Sequence, residues 1–225
     1  MDLDGTRLVT DPVLRRRIFH LRRIVPVQRP RDLDGVLVSH LHYDHLDLLT
    51  LLRLGRRLPV VVPRGGRSAL RGFPNVLEVE PGETVELGSL RVETVEAEHD
   101  ATGGPLRPTV PAVGYVIRGS RTVYFAGDTD LFDGMAALAP LDLALLPVGG
   151  WGPRLPPGHL DPVRAAEAAA RLRPAVAVPI HWGTYRVAWA RGTGGAPGDE
   201  FAAAAATAAP DVDVRVLPVG GTLEL

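Results

Sequence analysis

Three imidazoles and a carboxylate fall within one short stretch, His40-Leu41-His42-Tyr43-Asp44-His45, directly after the apolar run Gly35-Val36-Leu37-Val38. Neutral nitrogen and anionic oxygen donors so mixed suit zinc and other first-row divalent ions better than magnesium or calcium. A polar loop in which histidines are crowded by accident is the alternative. The whole chain has only seven histidines in 225 residues, so three of them at spacings of two and three favour a metal cluster. No cysteine is present, which removes disulfides and thiolate ligands and leaves histidine and carboxylate to hold any metal.

Further candidates stand where apolar runs end. His99 closes an alternating segment, 76–99, that reads as a β-meander with turns at Pro81-Gly82 and Leu87-Gly88. Asp128 follows the run 122–126 and Gly127, whose lack of a side chain permits close backbone approach; its alternative role is a helix N-cap for 130–138. His181 ends the apolar run 175–180. His159 precedes a helix announced by Asp161 as N-cap and Pro162 in the first turn and running to about 171, where helix N–H groups and the dipole favour an anion. Tyr43 and Tyr185 are potential hydroxyl donors or packing residues, and His20 has no evident partner.

The remaining elements position these groups. Strands are expected at 6–11, 35–38, 58–62, 114–118, 122–126 and 141–147, with a closing pair at 212–217 and 222–225. Helices are expected at 46–54, with Asp44 near its start and Gly55 as its stop, and around 200–209. The basic stretch 14–23 reads as a solvated loop or helix face, with a phosphate or membrane-surface contact as the alternative. Arg64-Gly65-Gly66-Arg67 has the form of an anion-binding turn but matches no phosphate loop and reads as a connection, and 192–198 reads as a flexible surface loop. This alternation predicts one α/β (α+β) domain over 1–225, with two mixed sheets face to face and helices outside. Ligands from several strand ends would then meet on one rim.

Composition narrows the class. An apolar fraction of 45% is ordinary for a globular protein, and no apolar run approaches the roughly 18 residues of a membrane span. The acidic start Met1-Asp2-Leu3-Asp4 is unlike a signal peptide, so a cytoplasmic location is expected. All 25 basic residues are arginine, which reads as nucleotide-composition bias; a net charge of -1 gives no global case for nucleic-acid or acidic-membrane binding, and no nucleic acid is expected as a partner.

The pattern His-x-His-x-Asp-His at 40–45, followed in order by His99, Gly127-Asp128 and His181, resembles the metallo-β-lactamase superfamily. Thr10-Asp11-Pro12, residues 39–47, 124–129, His159-Leu160-Asp161-Pro162 and His181-Trp182-Gly183-Thr184 are closer to its branch of N-acylphosphatidylethanolamine-hydrolysing phospholipase D-like enzymes, and more loosely to ascorbate 6-phosphate lactonases. The resemblance implies a four-layer αββα sandwich and two divalent ions, zinc with manganese or iron as alternatives. His40, His42 and His99 would hold one ion and Asp44, His45 and His181 the other, with Asp128 bridging. It implies a hydrolase in which the ion pair presents a hydroxide to a phosphodiester, a phosphorylated small molecule or a lipid, with Asp44 and Asp128 handling the proton and His159 near the phosphate. The alternatives are a lactonase with the same machinery and a non-catalytic metal- or metabolite-binding sensor. Relatives open with one more strand than this chain, so either the gene start is short or a partner subunit supplies the edge, which leaves a homo-oligomer open.

Overall fold

The computed structural model describes residues 1–102, 108–151, 155–189 and 196–225. In chain order the strands are β1 (Asp2–Leu3), β2 (Thr6–Thr10), β3 (Arg17–Ile18), β4 (Leu21–Arg23), β5 (Gly35–Leu37), β6 (Val60–Pro63), β7 (Val76–Val79), β8 (Thr84–Leu87), β9 (Leu90–Glu96), β10 (Val113–Arg118), β11 (Thr122–Phe125), β12 (Leu143–Pro147), β13 (Val176–Ile180), β14 (Tyr185–Val187) and β15 (Asp213–Val214). The α-helices are α1 (Leu48–Leu54), α2 (Pro162–Leu172) and α3 (Pro197–Ala208).

Two sheets carry the architecture. The first has the order β1-β2-β5-β6-β7 and the second β15-β13-β12-β11-β10-β9-β8. Between them lies one apolar layer: Leu8, Leu37 and Val61 of the first sheet face Val92, Tyr115, Ile117 and Phe125 of the second. The outer face of the first sheet (Val36, Val38, Val60, Val62) packs with Leu51 of α1, and that of the second (Val116, Tyr124, Ala144, Ala177) with α2 and α3. Helix, sheet, sheet and helix follow from these contacts, the αββα order expected. Strands covered on both faces have no polar side to show, so β5, β6 and β12 are near-continuous apolar runs in sequence. Alanines do the close work on α2: Ala165, Ala166, Ala168 and Ala169 are all buried, and their small side chains let the helix approach the sheet and α3.

Several elements depart from the sequence reading. The expected meander divides: β7 runs parallel to β6 in the first sheet, and only β8 and β9 form a hairpin in the second. Alternation cannot tell which sheet a strand joins. The expected helix 46–54 begins at Leu48, capped by Asp47, which accepts hydrogen bonds from Thr50 N at 3.1 Å and Thr50 Oγ1 at 2.6 Å. The helix expected at 130–138 is a 3-10 turn, Asp133–Leu138, headed by Phe132, so Asp128 is not a cap. Of the closing pair only β15 forms, and 222–225 is not a strand. Within 14–23, residues 14–16 are irregular and 19–20 a turn, but Arg17–Ile18 and Leu21–Arg23 are the strands β3 and β4, which pair with each other and, through β4, with β14 in a third, three-stranded sheet. The turn at Gly65 does bind an anion, but the anion is the chain's own: Glu78 Oε1 accepts from Gly65 N at 2.8 Å and Arg67 N at 3.1 Å. Part of the expected loop 192–198 lies outside the described residues.

Candidate metal centre

The site is built from strand ends. Asp11 follows β2, residues 39–45 follow β5, Asp128 follows β11 and His181 follows β13, four strands whose C-terminal ends share one rim of the sandwich. His99 arrives from beyond β9, and His159 from the loop before α2. Crevices outside the carboxyl ends of parallel strands are where such sheets leave backbone groups and side chains free to converge.

Each imidazole is oriented by a hydrogen bond on its outer side. His45 Nδ1 donates to Asp11 Oδ2 at 2.6 Å, His99 Nδ1 to the Gly158 carbonyl at 2.8 Å and His181 Nδ1 to the Gly149 carbonyl at 2.9 Å. His40 Nδ1 donates to Ser39 Oγ at 3.0 Å, whose hydroxyl donates to Asp11 Oδ2 at 2.6 Å; His42 Nε2 donates to the Thr102 carbonyl at 3.3 Å. These partners assign the tautomers and turn one bare nitrogen of each ring inward. The inward nitrogens crowd together: His40 Nε2 is 2.9 Å from His42 Nδ1, which is 3.3 Å from His99 Nε2, while His45 Nε2 is 3.1 Å from His181 Nε2. Lone pairs so placed repel unless a cation or a proton lies between them.

Among the described residues four overlapping groups of donor atoms result: His40, His42 and His99 form one triad and Asp44, His45 and His181 a second, while Asp11, His40 and His45, and His99, Asp128 and His159, form two more that share members with them. Asp128 joins the first two, with Oδ2 at 3.0 Å from His45 Nε2 and 4.0 Å from His40 Nε2, and Oδ1 at 3.5 Å from His181 Nε2. This carboxylate is 2% exposed and its Oδ1 accepts no hydrogen bond from the described residues, an expensive arrangement for a buried oxygen unless a cation meets it. The donor set, imidazole nitrogen and carboxylate oxygen only, fits a first-row divalent ion.

The charges are strongly coupled. Burial opposes ionisation of Asp44 and Asp128, yet the neighbouring His45 and His181 hold both carboxyls far below the usual range. Burial likewise opposes protonation of His45, but Asp128, Asp44 and Asp11 hold it well above an ordinary imidazole; His181 is raised against burial by Asp128 and Asp44. In the first triad burial wins, and His40 and His99 are lowered. His40 and His99 therefore favour the neutral ring, while at His45 and His181 a proton competes for the inward face.

His159 lies beside Asp128, its Nε2 3.5 Å from Asp128 Oδ2, and its pKa is raised by Asp128 against burial. Tyr43 packs edge-on against Phe19. Tyr185 packs too: its hydroxyl donates to the Arg15 carbonyl at 2.7 Å. His20 is exposed but not alone, with Trp189 at 5.5 Å between ring centroids. Asp11, Ser39 and Trp151, whose Nε1 donates to Asp44 Oδ2 at 2.7 Å, were given no role by the residue pattern. Asp11 had the available signal, a carboxylate at a strand end, the same placement that singled out Asp128. A cavity of about 240 Å³ opens beside the second triad, walled by Arg23, Trp151 and Tyr185 with Phe125, Leu145 and Ile180 below.

Comparison with known proteins agrees with this fold. The model of the family described as "Beta-lactamase superfamily domain" matches residues 6–182. An uncharacterized protein of Mycobacterium tuberculosis is 32% identical over 211 residues, covering 84% of this chain and 57% of its own length. A metal-dependent hydrolase of Nitratidesulfovibrio vulgaris is 34% identical over 195 residues, covering 81% and 75%. N-acyl-phosphatidylethanolamine-hydrolyzing phospholipase D 1 of Caenorhabditis elegans is 31% identical over 217 residues, covering 82% and 61%. The chain thus spans under two thirds of the length of the first and third. Among solved structures, a metallo hydrolase of Ignicoccus hospitalis superposes with a TM-score of 0.69 at 26% identity, covering 96% of this chain and 89% of that one.

Proposed function

The chain belongs to the β-lactamase superfamily, and from that premise we propose that it is a metal-dependent hydrolase acting with two divalent ions on a phosphodiester, a phosphorylated small molecule or a lipid. One observation carries the reading: buried Asp128 stands between two donor triads with an oxygen that no hydrogen-bond donor among the described residues reaches. His40, His42 and His99 would hold one ion and Asp44, His45 and His181 the other, with Asp128 shared; zinc suits the donors, as do manganese and iron. Bound there, the ions supply an acidified water and a Lewis acid for the substrate's acceptor oxygen.

The chain's own residues do the rest. Asp11, Ser39 and the Gly149, Gly158 and Thr102 carbonyls fix the rings, so no reorganisation is needed when charge develops. Asp44, kept ionised and oriented by Trp151, is an acceptor for a proton released at the site. His159 Nε2, favoured in its protonated form by Asp128, donates toward an anionic oxygen at the mouth. A phosphorylated substrate is supported by the named phospholipase relative and by this cationic donor.

The test joins metal analysis to turnover. The purified protein is expected to bind about two ions per chain and to cleave a chromogenic phosphodiester in a chelator-sensitive manner. His40→Ala and Asp128→Ala lose metal and activity together, whereas His159→Ala keeps its metal and loses turnover. Activity confined to a parallel panel of lactones would overturn the phosphoryl assignment, and failure to take up metal on reconstitution would overturn the enzyme.

A further inference from the structure

The third sheet has two unlike faces. Its inner face, Ile18, Leu21, Tyr185 and Val187, packs against Tyr43 and Trp151, and so against the metal centre. Its outer face is a row of arginines. Arg17 of β3 is the cross-strand partner of Arg22 of β4, which is the partner of Arg186 of β14, and all three are exposed. Like charges directly opposite one another destabilise a sheet.

Several arginines elsewhere on the surface are held by carboxylates, although others, Arg53, Arg57, Arg91 and Arg173 among them, have no ion-pair partner among the described residues. Arg64 is paired with Glu80 and Glu83, Arg118 with Glu93, Arg121 with Asp142, Arg164 with Asp130, Arg171 with Glu167 and Arg215 with Asp213. Among the described residues no carboxylate lies within ion-pairing distance of Arg17, Arg22 or Arg186; Arg17 Nε instead donates to the Phe19 carbonyl at 3.0 Å. The row is a concentrated positive charge whose counter-charge the fold does not supply.

Aromatic residues stand at one end of it. Phe19 forms the turn between β3 and β4 and is 62% exposed, and Trp189, two residues beyond β14, is 73% exposed. A hydrogen bond from Ala188 N to the His20 carbonyl at 2.8 Å, with the His20 and Trp189 rings 5.5 Å apart, puts them at the same end of the sheet. A row of cations bordered by exposed apolar rings has the makeup of an interfacial surface, where guanidinium groups meet lipid phosphates and Trp or Phe enters the headgroup boundary.

We propose that the outer face of the β3-β4-β14 sheet is a docking surface for an anionic phospholipid bilayer. Charge complementarity selects an anion, and the exposed rings select a surface with an apolar layer behind its charges. The row is three strands wide, about 10 Å at ordinary strand spacing, too short to track a polynucleotide backbone. The proposal does not depend on the hydrolase reading, because binding is read without turnover.

The experiment is co-sedimentation of the full chain with vesicles of phosphatidylcholine alone and of phosphatidylcholine with phosphatidylglycerol. Binding is expected only to the second, weakened by salt. Each arginine near an anionic surface contributes roughly a fivefold gain in partitioning, so the triple variant Arg17→Gln/Arg22→Gln/Arg186→Gln loses about a hundredfold. Its thermal midpoint should match or exceed that of the parent, since repulsion is relieved. Arg22→Gln alone, removing the central charge, keeps the test decisive should the triple variant misfold. Phe19→Ser/Trp189→Ser weakens binding that salt leaves behind. Equal binding to both vesicle types, undiminished binding by a folded arginine variant, or binding to an oligonucleotide in place of vesicles would each overturn the proposal.

Discussion

Asp11 Oδ2 lies 2.6 Å from His45 Nδ1 and 2.6 Å from Ser39 Oγ, while Asp11 Oδ1 accepts from Ser39 N at 2.7 Å. One carboxylate from the end of β2 thus orients a ring in each donor triad, His45 directly and His40 through the serine hydroxyl. It does so from a left-handed backbone, φ 41°, which aspartate adopts more readily than most residues. Asp11→Asn should lower metal affinity about 10–100-fold with little loss of fold, measured by competition with a chelating dye. Affinity equal to the parent's would show that the rings hold their orientation without this anchor.

Metal affinity should rise with pH. His45 and His181 have raised pKa values, because Asp128 and Asp44 outweigh burial at both. Below those values a proton occupies the inward face and must leave before a cation binds; above them it is already gone. His40 and His99 are lowered and add no competing proton near neutrality. A series of dye-competition titrations from acidic to alkaline pH checks the sign, and a flat profile would contradict the assignment of the second triad.

Gly127 is required by space and by backbone conformation. Its φ is 63°, and a Cβ built there would stand 2.4 Å from Ser39 Cβ. Gly127→Ala should cost about 1–2 kcal/mol for the left-handed conformation alone, with the clash added. Because both neighbours serve the site, Ser39 and Asp128, metal content should fall along with the thermal midpoint.

Tyr124 offers a prediction of the opposite sign. Its ring is fully buried, its hydroxyl has no hydrogen-bond partner among the described residues, and burial pushes the phenol's pKa upward. Removing a buried hydroxyl that is already unsatisfied removes a desolvation cost of about 1–3 kcal/mol. Tyr124→Phe should therefore shift the urea midpoint upward, and a downward shift would reveal a partner for the oxygen.

How much of this was legible in the sequence depended on how locally each feature is determined. His40, His42, Asp44 and His45 declare themselves by spacing, and the α2 start by Asp161 and Pro162, because caps and ligand clusters are short-range devices. The sheet to which β7 belongs is decided by pairing with β6, which alternation does not encode. Residues 14–23 looked solvated because their arginines are numerous; the buried Ile18 and Leu21 that make them a sheet find their partners in Tyr185 and Val187, far along the chain. Asp11 and Trp151 act through other residues, and a side chain whose role is to orient a neighbour has no signature apart from that neighbour.

The two triads also bear on how the chain reaches this state. His45 and His181 are 136 positions apart, and His42 and His99 are 57 apart, so neither set of donors exists until both sheets have formed and closed. Bringing such distant segments together costs chain entropy before any contact rewards it, and folds dominated by long-range pairings form slowly. A cation taken up at this rim is thus a late event in folding, and its retention reports that the two halves of the sandwich have met in register.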